Sequence, residues 1–147
     1  MSKAESADLI LKLYDLRREA TMREARNWIF GFNPTSAEEY MQTMMDEKVG
    51  GYLRMVVSYW DMAATMVNQG AIDADMFDQT NGEHTLVFAK IEPILADLRK
   101  MWDRPEALAN LEKVIMDRPD GAEKVKKTQE WLKTMMAQFA AAKEANA

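Results

Sequence analysis

Between Tyr52 and Gly70 the chain reads YLRMVVSYWDMAATMVNQG, and its polar side chains Arg54, Ser58, Asp61, Thr65 and Asn68 recur at intervals of four, three, four and three. On a helix these fall along one narrow stripe and leave the rest of the surface apolar. Such a helix is covered on most sides by neighbours. The segment 52–69 is therefore expected to be the central helix of a bundle.

The flanking patterns predict its neighbours. Leu9, Leu13, Leu16 and Ala20 form a seam continued by Met22, Ala25 and Ile29, so one first helix is expected from about Ser6 to Gly31, closed by that glycine and by Asn33-Pro34. Ser36 with Glu39 has the spacing of a capping box. It opens a helix at about Ala37 that runs through Tyr40, Met41, Met44 and Met45 to about Lys48, where Gly50-Gly51 is expected to break it. After Gly70, Asp73 is suited to cap a short helix reaching about Gln79. Thr80 with Glu83 reads as a second capping box, opening a long helix through Leu86, Val87, Ile91, Ile94, Leu95, Leu98 and Trp102 that bends at Pro93.

Asp103-Arg104-Pro105 and Asp117-Arg118-Pro119 then write one punctuation twice, each aspartate placed to cap the next helix. Between them a short helix carries Leu108, Leu111 and Ile115. Asp120 with Glu123 opens a last helix with the face Val125, Thr128, Leu132, Met135 and Phe139, and the tail beyond about 140 is expected to fray. No stretch alternates with period two. The fold class is all-α: a single helical domain over 1–147, built as a bundle of five to seven helices.

Composition narrows the function classes. With 147 residues, 48% of them hydrophobic, the chain can fill one core without staples, and the absence of cysteine excludes disulfides, thiolate metal sites and cysteine nucleophiles. A formal charge of −5 argues against a general nucleic-acid binder. The basic cluster Arg17, Arg18, Arg23 and Arg26 is interleaved with Asp15, Glu19 and Glu24, which reads as a solvated, internally paired face. The charge-free run from Met62 to Ile72 is far shorter than the roughly 20 apolar residues of a membrane span, and the charged start does not read as a signal peptide. A cytoplasmic location is expected.

No motif supplies a catalytic constellation or a cofactor site. His84 is the lone histidine, read as exposed at a helix start, and one histidine cannot furnish a di-iron bundle. Asp73, Asp75 and Asp78 lack the glycine and closing glutamate of a calcium loop, and the 13 methionines follow apolar helix faces, as core filler does. Trp28, Phe30 and Phe32 cluster at the end of the first helix, as a plug for the bundle or as a surface for a partner.

Tyr59-Trp60-Asp61, Ala64, Val67, Gly70, Ile72-Asp73 and Asp75, together with Ile91, Pro93, Ile94, Leu98 and Arg99, resemble a family of mainly bacterial helical domains of unknown function over about residues 50–100. The resemblance implies a helical domain with no assigned activity. Many members carry an N-terminal membrane span, which this sequence does not show. It also singles out Asp61 and Arg99, on the two helices expected to touch, and the pair reads as a structural ion pair or hydrogen bond, with a carboxylate poised for chemistry as the lesser alternative. Together these readings lead to a helical protein-interaction module that self-associates, with Trp28, Phe30, Phe32, Tyr59 and Trp60 as its candidate partner or pocket surface. The alternative is a ligand-binding or sensing bundle with an apolar internal pocket. An enzyme is the least favoured class.

Overall fold

A computed structural model describes residues 2–146, and among them it contains eight helices and no strand. The helices are α1 (Lys3–Arg17), α2 (Ala20–Phe30), α3 (Ala37–Met44), α4 (Gly50–Asn68), α5 (Ala74–Thr80), α6 (Glu83–Met101), α7 (Ala109–Met116) and α8 (Gly121–Ala145). α4 is the middle of the body, with α2 and α7 as its most extensive neighbours, while α6 lies against α8, α3 and α7. Trp60 of α4, Phe77 of α5 and Phe88 of α6 are the largest fully buried side chains.

The count exceeds the expected five to seven because the first predicted helix is two. Arg18 ends α1, and Glu19 adopts an extended conformation (φ −57°, ψ 143°) in which its own carboxylate accepts from Met22 N–H at 2.9 Å. Glutamate is not among the favoured N-cap residues, so the break carries no ordinary sequence signal. The break also changes the seam. α1 buries Ser6, Ile10 and Leu13 while Leu16 stays 57% exposed, and α2 buries Met22, Ala25 and Ile29 as the pattern predicted.

Other boundaries show why the caps were only partly readable. Ser36 and Asp73 do cap α3 and α5, accepting from Glu39 N–H at 3.1 Å and Met76 N–H at 2.9 Å. Thr80, by contrast, does not open α6: its hydroxyl donates back to Met76 O, and Gly82 occupies the cap position without a side-chain bond. Asp103 terminates a helix instead of starting one. With φ 51° it closes α6 as Gly70 (φ 85°) closes α4, in each case with the next residue's N–H returning to a carbonyl five positions back at 2.9 Å. Gly50 begins α4 two residues earlier than expected, because a Cβ there would collide with Met44 O where the α3–α4 turn closes. α8 remains helical to Ala145, past the expected fraying point, in keeping with the high helix propensity of its alanines.

α6 runs through Pro93 without interruption. Proline has no N–H, so the carbonyl four residues earlier, on Ala89, loses its intrahelical donor. Gln129 of α8 replaces it, donating from Nε2 to Ala89 O at 3.2 Å and to Glu92 Oε2 at 2.9 Å. Gln129→Leu is accordingly expected to cost about 1–2 kcal/mol by leaving a half-buried carbonyl unpaired. In a Pro93→Ala background, where the helix satisfies its own carbonyl, that cost should shrink. A urea double-mutant cycle measures the difference, and identical costs in both backgrounds would remove this account.

Candidate functional site

Asp61 and Asn68 of the polar stripe of α4 face the start of α7. α7 opens behind Leu108, which is held left-handed at φ 58° and offers no side-chain cap. Asp61 supplies one from α4: its Oδ1 accepts from Leu111 N–H at 3.1 Å. Asn68, two turns on, donates to Asn110 O and Oδ1, both at 3.0 Å. Arg99 approaches the same place from α6, its Nε donating to Ala107 O at 3.0 Å and its Nη2 to Glu112 Oε1 at 3.0 Å. The expected Asp61–Arg99 ion pair is thus corrected. Both residues converge on the entry of α7, but the arginine's carboxylate partner is Glu112 and the aspartate's partner is a backbone amide.

A second polar group is closed inside the body. Arg26 Nε donates to Glu83 at 2.9 and 3.1 Å, and Trp60 Nε1 donates to Glu83 Oε2 at 3.1 Å. Arg26 also donates to Arg17 O at 3.2 Å, Arg17 lies over the Trp60 ring at 5.6 Å, and the Tyr59 hydroxyl donates to Leu13 O. Two of the four clustered arginines therefore turn inward. Tyr59 and Trp60, expected at a partner or pocket surface, are buried and meet edge to face at 4.9 Å, so they tie α1, α2, α4 and α6 together. His84 is likewise corrected: it is only 2% exposed, between Trp60 and Phe77, and its Nδ1 has no partner. Burial pushes its pKa down to about 4, against an opposing pull from Asp78. The first turn of α6 looks like a surface position in sequence, and α5 is what covers it.

The aromatic end divides. Trp28 stacks on Phe32 at 5.0 Å, Phe32 meets Tyr40 at 6.0 Å, and Tyr40 meets Trp102 at 5.9 Å, a chain of contacts that seals the bundle from α2 to the end of α6. Phe30 alone points outward, 52% exposed. Beneath it lies a residue that belongs to no motif. Lys90, flanked in sequence by Phe88-Ala89 and Ile91, is buried and donates from Nζ to Phe30 O (3.2 Å), Phe32 O (2.9 Å) and Asn33 Oδ1 (2.8 Å). A cation among the last carbonyls of α2 suits the negative end of that helix, while burial lowers the amine to about 8. A lysine inside an apolar run was the available signal.

Outside these closed networks, the accessible feature at this end is a groove of about 530 Å³ formed by Phe30, Gly31, Asn33, Phe139, Ala140 and Lys143. Phe139 on its α8 wall is 66% exposed. No group of three or more histidine, aspartate or glutamate side chains among the described residues could hold a metal. The arrangement defines an all-helical domain in which Asp61, Glu83, Lys90 and Arg99 meet internal partners and whose open groove at this end is mainly apolar. The chain matches the model of a domain of unknown function, DUF4760, over residues 3–117, and belongs to that family. The match reaches well beyond the 50–100 stretch that carried the resemblance and takes in α1 to α7. No curated protein and no solved structure is significantly similar to it.

The polar networks can be probed in two ways. Asp61→Ala should cost about 1 kcal/mol through loss of the α7 cap, whereas Asp61→Asn, which keeps an acceptor oxygen, should cost clearly less; chemical denaturation ranks them, and equal losses would contradict capping. His84, lowered from 6.5 to about 4 in the folded state, binds its proton more readily when unfolded, so its contribution is full above pH 6.5 and falls as the pH drops toward 4. At pH 4 the loss is about 3 kcal/mol. Between pH 7 and 4 the wild type should lose that much more stability than His84→Phe, and parallel curves would show that His84 is not responsible.

Proposed function

We propose that this protein is a helical interaction module that self-associates through the groove between the exit of α2 and the C-terminal half of α8. The observation that carries the reading is the exposure of Phe139 and Phe30 on opposite walls of one groove. Along α8, residues 134–142 carry no charge, and Met136 continues the same exposed face. A helix end that is apolar and open has its hydrophobic driving force unspent, at about 1.5–3 kcal/mol for each large side chain buried. A second copy presents the same face, and two-fold pairing would bring both phenylalanines of each chain together. The proposal includes a cytoplasmic location, which the cysteine-free sequence accommodates. No helix among the described residues is long and apolar enough to cross a membrane.

The ligand-binding alternative has one observation in its favour. A second groove, about 560 Å³, is lined by Met41, Met44, Trp102, Arg104, Ala107 and Leu108. That volume lies in the range that small molecules occupy. Native mass spectrometry separates the readings, since a monomer carrying extra mass would favour the ligand.

Sedimentation at tens of micromolar is expected to give a multiple of the 16.9 kDa chain for the wild type. Phe139→Glu should sediment as a monomer with unchanged helicity and melting temperature, because Phe139 contributes little to the body's own core. A monomeric wild type overturns self-association.

A further inference from the structure

α8 is set apart from the body it rests on. The family match ends at Asp117, and α8 begins four residues later at Gly121. Of its 25 residues only Gly121 and Val125 are buried. Thr128, Gln129, Leu132 and Met135 are half-buried, and the remaining residues after Val125 are exposed as far as the structure describes them. The surface that receives it is a groove in which Asn33, Pro34, Ala89 and Pro93 meet Gln129, Leu132 and Met136. Its directional contact is the Ala89 carbonyl that Pro93 leaves free, taken by Gln129. An apolar groove with one unpaired acceptor at a fixed place selects a helix carrying a donor at the matching turn.

Charge adds to the match. Residues 1–120 carry 14 Lys and Arg against 21 Asp and Glu, whereas the remainder carries five against three. A basic helix therefore lies on an acidic body. At its start Lys124 reaches Asp78 at 3.5 Å, and further along Gln129 donates to the Glu92 carboxylate at 2.9 Å. These complements are as available to the α8 of another molecule as to the chain's own.

We propose that the α6 groove is a receptor for the C-terminal helix of a second copy, so that paired chains exchange α8. The inference rests on the self-association reading: copies joined at the Phe30 and Phe139 faces hold each α8 near the partner's groove at an effective concentration on the order of millimolar. The four residues Asp117 to Asp120 are the hinge. They form a tight turn in which a Cβ on Gly121 would collide with Ile115 O, and short constrained hinges favour exchange.

The absence of cysteine from the chain makes the test direct. Glu92→Cys and Lys133→Cys place thiols on opposite walls of the groove, on α6 and α8, and both in one chain calibrate a short bis-maleimide for that contact. Equimolar Glu92→Cys and Lys133→Cys chains are then incubated together before the reagent is added. Exchange predicts a covalent pair of two 16.9 kDa chains from this mixture. It predicts none from Glu92→Cys with Glu130→Cys, whose thiol lies on the side of α8 turned away from α6. A dimer by sedimentation that gives no 92–133 product, or that links 92 to 130 equally well, overturns exchange and leaves self-association standing. A monomer overturns both.

Discussion

α7 has no cap of its own, and the carboxylate of Asp61 supplies one from the middle of α4. Much of the architecture depends on that interaction. α4 and α7 form the most extensive helix pair in the molecule, so the place where α7 starts fixes which of its side chains face α4. Without a partner for the amide of Leu111, a helix of only eight residues would begin with its free donors turned toward a half-buried seam. Asp61, Asn68 and Arg99 answer that need from two helices. They also hold the turn that carries Leu108 in its left-handed conformation, which is sterically costly for a branched side chain. Part of the wet line along α4 is therefore a docking line: Arg54, Asp61 and Asn68 meet backbone groups of α3 and α7, while Ser58 and Thr65 bond carbonyls of α4 itself.

The same logic governs the other polar side chains inside the body. Glu83 stands in the first turn of α6 and gathers Arg26 and Trp60, while Lys90 collects the last carbonyls of α2. Glu39 takes the Thr35 N–H just before α3, and Gln129 takes the one carbonyl that Pro93 frees. Each meets a backbone group or charge that helix geometry leaves exposed, mostly at an end. Lys90 and Gln129 also line one groove, between α6 and α8. Their burial stiffens the junctions between helices.

How much of the fold and site was legible depends on the range of each signal. The helical period of Tyr52 to Gly70 is a local property, and it gave the central helix to within two residues. Ser36, Asp73 and Gly70 act on backbone atoms within a few residues of themselves, and they too were readable. Glu19 and Asp103 misled because each performs a task usually given to another residue type, a cap by glutamate and a left-handed stop by aspartate. Asp61 and Arg99 were expected to pair with each other, yet their partners lie 50 and 13 residues away and no spacing rule reaches them. Tyr59, Trp60 and His84 were misplaced for a related reason. Whether an aromatic or a histidine is buried depends on which helix crosses above it, and here that is α5 and the start of α6.

α8 shows how a locally clear pattern can still leave a tertiary question. Its near-heptad face is as regular as any in the chain, and the regularity continues past the point where the body stops supporting it. The first half of that face is answered by α6, through Gln129 and Leu132. The second half, Met135 and Phe139, runs on toward the exit of α2, where Phe139 shares a groove with Phe30 and stays 66% exposed. A face that short helices of the body had no need to match was built to a single period over its whole length. A uniform stripe with a partial cover leaves Phe139 as apolar surface that the body's own helices do not bury. The candidate site therefore belongs at the junction of Phe30 with α8, where the helical pattern and the solvent exposure disagree.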